Sequence, residues 1–219
     1  MEFDSIVSKK KSECGREYIG HVVSGTIELI DLINSGSFGD IYHGRCKKTG
    51  REFAVKFNKN ETDRGYRNFF KEYDIMKLLT GKGCFPTCSI EYRKSNKLNK
   101  DVLIMEKLGL NVYDLFRVCN KKLSPWTMAF LIQQFIMRMK ELHACGIVHR
   151  DIKPENFCMA NPYSSDFYLI DFGLSKDYLD EDGVFKPKSD TEGFVGTPRY
   201  SSRHAHRGRL LMSRHLSGA

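Results

Sequence analysis

Residues 149 to 156 read His-Arg-Asp-Ile-Lys-Pro-Glu-Asn, and Phe157 follows. Five of these eight side chains ionise or titrate, and Pro154 keeps the stretch out of any helix interior. Asp171 stands 20 positions beyond Asp151, in Leu-Ile-Asp-Phe-Gly, after another short strand pattern. Asn156 and Asp171 are hard oxygen donors of the kind that hold Mg²⁺ when substrate phosphates supply the remaining ligands. Asp151 can accept or orient a hydroxyl proton, and Lys153 can neutralise a phosphoryl group in transfer. Upstream, Ile33-Asn-Ser-Gly-Ser-Phe-Gly-Asp-Ile-Tyr42 is a Gly- and Ser-rich turn between strand patterns, where backbone N–H groups can close over phosphate oxygens. Asn34 stands where a first glycine of such a loop is usual, and Asn tolerates left-handed backbone. Lys56, in Phe-Ala-Val-Lys, completes the set. Positioning, charge neutralisation and one carboxylate beside the nucleophile are what phosphoryl transfer requires.

The elements that must carry these groups follow from periodicity. Strand patterns run through Ile-Glu-Leu-Ile-Asp-Leu-Ile-Asn, Asp-Ile-Tyr-His-Gly and Arg-Glu-Phe-Ala-Val-Lys-Phe. A helical segment follows in which Phe69, Glu72, Met76 and Leu79 share one face. A carboxylate on an apolar face needs a cation, and Lys56 is the expected partner of Glu72. Ser-Ile-Glu-Tyr-Arg and Asp-Val-Leu-Ile-Met-Glu-Lys-Leu complete a small antiparallel sheet. Ser124-Pro125 reads as a helix start and Gly146 as its stop, with Met128, Leu131, Ile132, Phe135, Met139 and Leu142 as the core stripe. A β-rich lobe therefore precedes a helix-rich one, with the boundary near Leu108-Gly109.

Composition narrows the class. The chain has 219 residues, 41% of them apolar, enough for one domain of two lobes. There is no run long enough for a membrane-spanning helix and no apolar N-terminal leader pattern. Seven scattered Cys read as reduced thiols of the cytoplasm or nucleus. Cys84 and Cys88 lack the further ligands a zinc site needs. Of the net charge of +8, five units fall between Gly196 and Ala219, which carry five Arg and no Asp or Glu. Such a segment attracts anions.

The Gly-rich loop, strand Lys, helix Glu, His-Arg-Asp-x-x-x-x-Asn and Asp-Phe-Gly, in this order, form the protein-kinase signature. The segments SGSFGDIY, HRDIKPENF, LIDFGLSKDY, GTPRYSS and EKLGLNVYDLF closely resemble the casein kinase I family, from about Thr26 to Arg209. The resemblance implies an α+β, bilobal protein-kinase-like fold. It would comprise a flexible arm over 1–25, an N-lobe over 26–108, an incomplete helical C-lobe over 109–209 and a divergent tail over 210–219. It implies a Ser/Thr kinase using ATP and Mg²⁺, with Asp151, Lys153, Lys56, Glu72 and Thr197 as the catalytic set. Asn156 and Asp171 are the implied metal ligands. Nucleotide contacts would come from Ile33, Gly36, Ser37, Phe38, Gly39, Ile41, Ala54, Lys56, Met105, Glu106 and Leu108. Arg199 is the implied anion-binding residue for acidic or phosphorylated protein substrates. Ser189 and Thr191 lie in the activation segment, whose phosphorylation the family does not generally require. A monomer is expected, without specific nucleic-acid binding or membrane insertion.

After Ser213-Arg214-His215 the likeness to the family stops, so a C-terminally truncated member of low stability is expected, with apolar faces of the Ser124–Cys145 helix left exposed. A second reading is an inactive kinase remnant that binds nucleotide or partner proteins. A third, a nucleic-acid or membrane-surface module using the Arg-rich end, lacks the interleaved aromatic residues such binding employs.

Overall fold

The computed structural model describes residues 16–36, 39–59, 62–82, 85–91, 98–180, 183–184 and 194–206. The chain forms two compact units. One takes the residues through Phe69 together with Cys88–Lys107; the other takes Phe70–Thr87 and continues from Leu108.

The first unit is built on a six-stranded sheet in the order β1-β2-β3-β4-β6-β5, every neighbouring pair antiparallel. The strands are β1 (Val22–Val23), β2 (Ile27–Gly36), β3 (Gly39–Cys46), β4 (Glu52–Phe57), β5 (Cys88–Glu91) and β6 (Val102–Glu106). Alternation along the strands gives the sheet two different faces. Leu29, Leu32, Tyr42, Val55, Phe57, Val102 and Ile104 form a buried core on one of them. The opposite face receives Ile41, Ala54, Lys56 and Met105, because directly paired residues share a face and the register pairs Ile41 with Lys56 and Ala54 with Met105.

One expectation is corrected here, and one tolerance proves unused. Of the arm predicted over 1–25, residues 16–25 belong to the fold. Tyr18 stacks on Phe57 with ring centroids 4.7 Å apart, Val23 is fully buried, and β1 pairs with β2. Burial of these apolar groups outweighs the polar character of their neighbours; residues 1–15 lie outside the described residues. Asn34 needs no left-handed backbone. It continues β2, and its side-chain carbonyl accepts from Ser35 N–H at 3.0 Å.

The chain passes into the second unit within α1 (Asp63–Leu79). The predicted face of this helix is buried throughout, at Phe69, Glu72, Met76 and Leu79. In the second unit α2 (Val112–Val118) is capped by Asn111, whose side chain accepts from Asp114 N–H at 2.8 Å. Helix α3 (Pro125–Ala144) begins with Ser124 Oγ accepting from Thr127 N–H at 3.0 Å and Pro125 in its first turn. It ends before Gly146, whose φ of +72° a side chain would resist.

The stripe predicted for α3 is displaced. Leu131 and Leu142 are buried and Phe135 and Met139 half-buried, whereas Met128 and Ile132 are exposed. The covered face runs through Leu131, Phe135, Arg138 and Leu142. It meets the hairpin of β8 (Phe157–Met159) and β9 (Phe167–Leu169), where Phe135 stacks on Phe157 and Arg138 Nε–H donates to Phe167 O at 2.7 Å. Trp126, Phe130, Ile136 and Met137 join Met128 and Ile132 on the exposed side.

Candidate active site

Two short ladders in the second unit hold a pair of loops together. Strand β7 (Ile147–Val148) pairs with β10 (Lys176–Asp177), and β8 pairs with β9. The chain between β7 and β8, residues 149–156, is thus held beside the chain between β9 and β10, residues 170–175. Cross-links close the gap. Ile170 N–H donates to Asn156 O at 3.0 Å. His149, fully buried, binds Ile170 O through Nε2 at 2.9 Å and accepts from Asp151 N–H at Nδ1, 3.3 Å away. These two bonds fix the neutral tautomer with its proton on Nε2. Burial lowers the His149 pKa, which keeps that neutral form. Arg150 Nε–H donates to Leu174 O. Arg150 and Asp171 both adopt φ values in the left-handed region, +68° and +66°, a strain that these cross-links hold in place.

Asp151 is the centre of the loop pair. Its Oδ1 accepts from Thr197 N–H at 2.9 Å and from Thr197 Oγ1 at 2.7 Å. Its Oδ2 meets Lys153 Nζ at 2.6 Å and Asn156 Nδ2 at 3.4 Å. Lys153 also reaches Thr197 Oγ1 at 3.4 Å. Burial alone would push the Asp151 carboxyl up; the Lys153 ammonium and the Thr197 donors more than offset it, so the group lies below the usual carboxylate range. Asp151 is therefore a buried, ionised carboxylate at neutral pH.

Thr197 reaches Asp151 because the preceding residue is Gly196. With φ at +109°, a Cβ on Gly196 would lie 2.5 Å from Arg150 O. Sequence reasoning passed over this glycine. Its position directly before Thr197, at the head of the segment GTPRYSS, was the available signal.

The metal ligands predicted from sequence are neighbours. Asn156 is buried and donates through Nδ2 to Asp151 O at 2.8 Å, which turns its amide oxygen away from Asp151. Asp171 follows Ile170, the residue bonded to Asn156 O. An ideal Cβ on Gly173 would lie 3.5 Å from Asp171 Oδ1 and 3.4 Å from Glu72 Oε2, so two carboxylates converge on that glycine. No cluster of three or more His, Cys, Asp or Glu able to hold a metal occurs among the described residues. One amide and one carboxylate oxygen fit Mg²⁺, which accepts few protein ligands when phosphates supply the rest.

The remaining predicted residues are placed as follows. Lys56 is 4% exposed in the first unit, and Glu72 is 3% exposed in the second. Gly36 and Gly39 face each other at the turn of the β2–β3 hairpin, while Ser37 and Phe38 lie outside the described residues. A Cβ at Gly36 would meet nothing within 4 Å. The fold itself does not require glycine there, whereas close approach of a phosphate-bearing ligand would. Ile33, 42% exposed, sits where a register shift interrupts β2. Glu106 ends β6 and pairs with Arg51 at 3.4 Å, and Lys107 binds Glu52 at 3.0 Å. Leu108 opens the second unit's next segment. Arg199 is exposed in the 3₁₀ turn Pro198–Tyr200, its guanidinium 5.9 Å from the Tyr200 ring centroid. Ser189 and Thr191 lie outside the described residues.

The family model described as protein kinase domain matches residues 27–205. The chain belongs to the protein kinase family. Its α+β, bilobal fold is the kinase fold, with the sheet-bearing unit as one lobe and the unit of α2, α3 and the two loops as the other. Kinase membership carries phosphotransferase chemistry with ATP and Mg²⁺ as general properties of the family.

Proposed function

We propose that this kinase is of casein kinase I type and transfers the γ-phosphoryl of ATP to Ser or Thr hydroxyls of acidic or already phosphorylated proteins. The observation that carries the proposal is the environment of Asp151. Thr197 holds one carboxylate oxygen by two hydrogen bonds, while Lys153 and Asn156 hold the other. An ionised carboxylate fixed this way can orient an incoming hydroxyl and take its proton as the oxygen attacks phosphorus. Lys153, already within reach of Asp151 and Thr197, can shift part of its charge onto the transferring group. The Lys two residues after the catalytic Asp is what Ser/Thr kinases carry, and it supports an alcohol of that type as acceptor.

Asn156 and Asp171 would hold Mg²⁺, which supplies neutralisation of phosphate charge. Lys56 and Glu72 are each buried charges, and a buried charge requires an opposite one; their pairing would aim the Lys56 ammonium at phosphate oxygens. In this reading the adenine lies on the sheet face carrying Ile41, Ala54 and Met105, bonded to the backbone of Glu106 and Leu108. Gly36 and Gly39 flank the phosphates, and so would Ser37 and Phe38. Arg199 takes an anionic substrate side chain. The five described cysteines are free, which suits a reducing cytoplasmic or nuclear setting, and the chain acts as a monomer.

Labelling of casein from Mg·ATP tests the assignment. Asp151→Asn and Lys56→Met should each lower kcat by about 10²–10⁴-fold while the fold is retained, and Asp171→Asn should abolish transfer. Phosphoamino-acid analysis should return phosphoserine and phosphothreonine. Arg199→Ala should raise KM for an acidic peptide more than for a neutral one. Nucleotide binding without transfer by the unaltered protein would instead identify an inactive remnant.

A further inference from the structure

We infer that Lys59 is a positioning residue that clamps the glycine-rich β2–β3 hairpin through a buried carboxylate, Asp40. Its effect on nucleotide rests on the reading of that hairpin as the cover for ATP phosphates. Asp40 is the second residue of β3 and is only 2% exposed. The register places it between Ser35 of β2 and Phe57 of β4, at the end of the sheet where the hairpin turns. A carboxylate removed from water there needs a compensating charge. Asp40 Oδ1 has no aligned hydrogen bond among the described residues, but the Lys59 ammonium stands 2.6 Å from it. The contact is therefore charge compensation rather than a directed hydrogen bond. The same ammonium donates to Ser35 Oγ at 3.1 Å.

One cation thus joins the two strands of the hairpin to the chain leaving β4. Lys59 lies two residues past Phe57, and the residue before it is tied down where Asn58 N–H donates to Asp101 O at 3.2 Å. The hairpin base is tight on the other side as well. A Cβ on Gly39 would come within 2.3 Å of Phe57 O, so the turn end of β3 lies directly against β4. The base is closed by backbone contact at Gly39 and by charge at Lys59. Removing the ammonium leaves a buried carboxylate uncompensated at the point from which Gly36 and Gly39 are presented. The hairpin then spends less time in the arrangement that binds phosphates, and affinity for ATP falls with the competent fraction.

Two measurements test the clamp separately from the kinase reading. In nucleotide-free protein, Lys59→Met should speed amide hydrogen exchange at Ser35 and Gly39–Ile41 while leaving β5 and β6 unchanged, and Lys59→Arg should restore protection. Unchanged exchange in Lys59→Met would overturn the clamp whatever the protein does with nucleotide. In kinetics, Lys59→Met and Asp40→Asn should each raise KM for ATP by about tenfold, the scale on which preorganisation is felt. The values of kcat at saturating ATP and KM for protein substrate should hold, and the double variant should be no worse than either single one. If Lys59 instead bound phosphate directly, Asp40→Asn would free it and lower KM, which would refute the clamp. Faster exchange in Lys59→Met, with no calorimetric ATP binding by the unaltered protein, would leave the clamp standing as a hairpin device and remove its effect on nucleotide together with the nucleotide reading.

Discussion

At the scale of single residues, the chemistry turns on how Asp151 is kept ionised although it is buried. Lys153 and Thr197 act against desolvation, and of the two only Lys153 brings a full charge. Lys153→Ala should therefore move the acid limb of the residual rate–pH profile to higher pH, because burial would then set the Asp151 pKa. An acid limb that stays in place would show that Thr197 and the backbone suffice. The motif residues around 151, 156 and 171 were legible because spacing and residue type dictate their chemistry. Lys59 was not, because a lysine after a strand looks like any solvated lysine, and the burial of Asp40 that gives it work becomes visible only once the strands are paired. Asn34 carries a related lesson: its tolerance for left-handed backbone goes unused in β2, since tolerating a backbone shape does not mean that the shape is needed.

At the scale of elements, the loop of 149–156 is positioned less by its own sequence than by the ladders flanking it and by the segment that ends at Thr197. Gly196 is the joint. Gly196→Ala would force a Cβ against the Arg150 carbonyl and displace Thr197 from Asp151. Misplacement of about 1 Å in such a site costs about 100-fold, so kcat should fall by that order while KM for ATP holds. A fall in both together would mean that the loop pair has come apart. Helix α3 shows where element-level reading stops. Its ends follow from Ser124, Pro125 and Gly146, and its period follows from its apolar residues. Periodicity marks a broad stripe, however, and only the β8–β9 hairpin decides that Leu131, Phe135, Arg138 and Leu142 are the covered part. The arm over 16–25 was misread in the converse way, since isolated apolar residues such as Tyr18 and Val23 leave no period to detect.

At the scale of the whole molecule, acid should destabilise the protein in two stages. Burial lowers the pKa of His149, His143 and His43 from 6.5. Below that value the unfolded chain binds more protons than the folded one, so stability falls as pH drops through this window and is level above it. Glu52, held down to about 2 by Lys107, and Asp151 then lose their contribution as pH falls further, from about 4.5 downward. Melting temperature measured against pH should show both descents; a flat curve between pH 7 and 5 would contradict the buried histidines. The order of lobes was legible from the shift between alternation and helical spacing. The membership of Phe70–Thr87 in the second unit was not, because α1 carries one continuous apolar face past the division. The exposed side of α3 has an optical consequence. Trp126 is the chain's single tryptophan and is 86% exposed, so its emission should resemble that of indole in water. Denaturation should barely move the spectrum, and iodide should quench native and unfolded chains alike. A blue shift would therefore mark the shielding of that helix face and would be silent about both the sheet and the loops around Asp151.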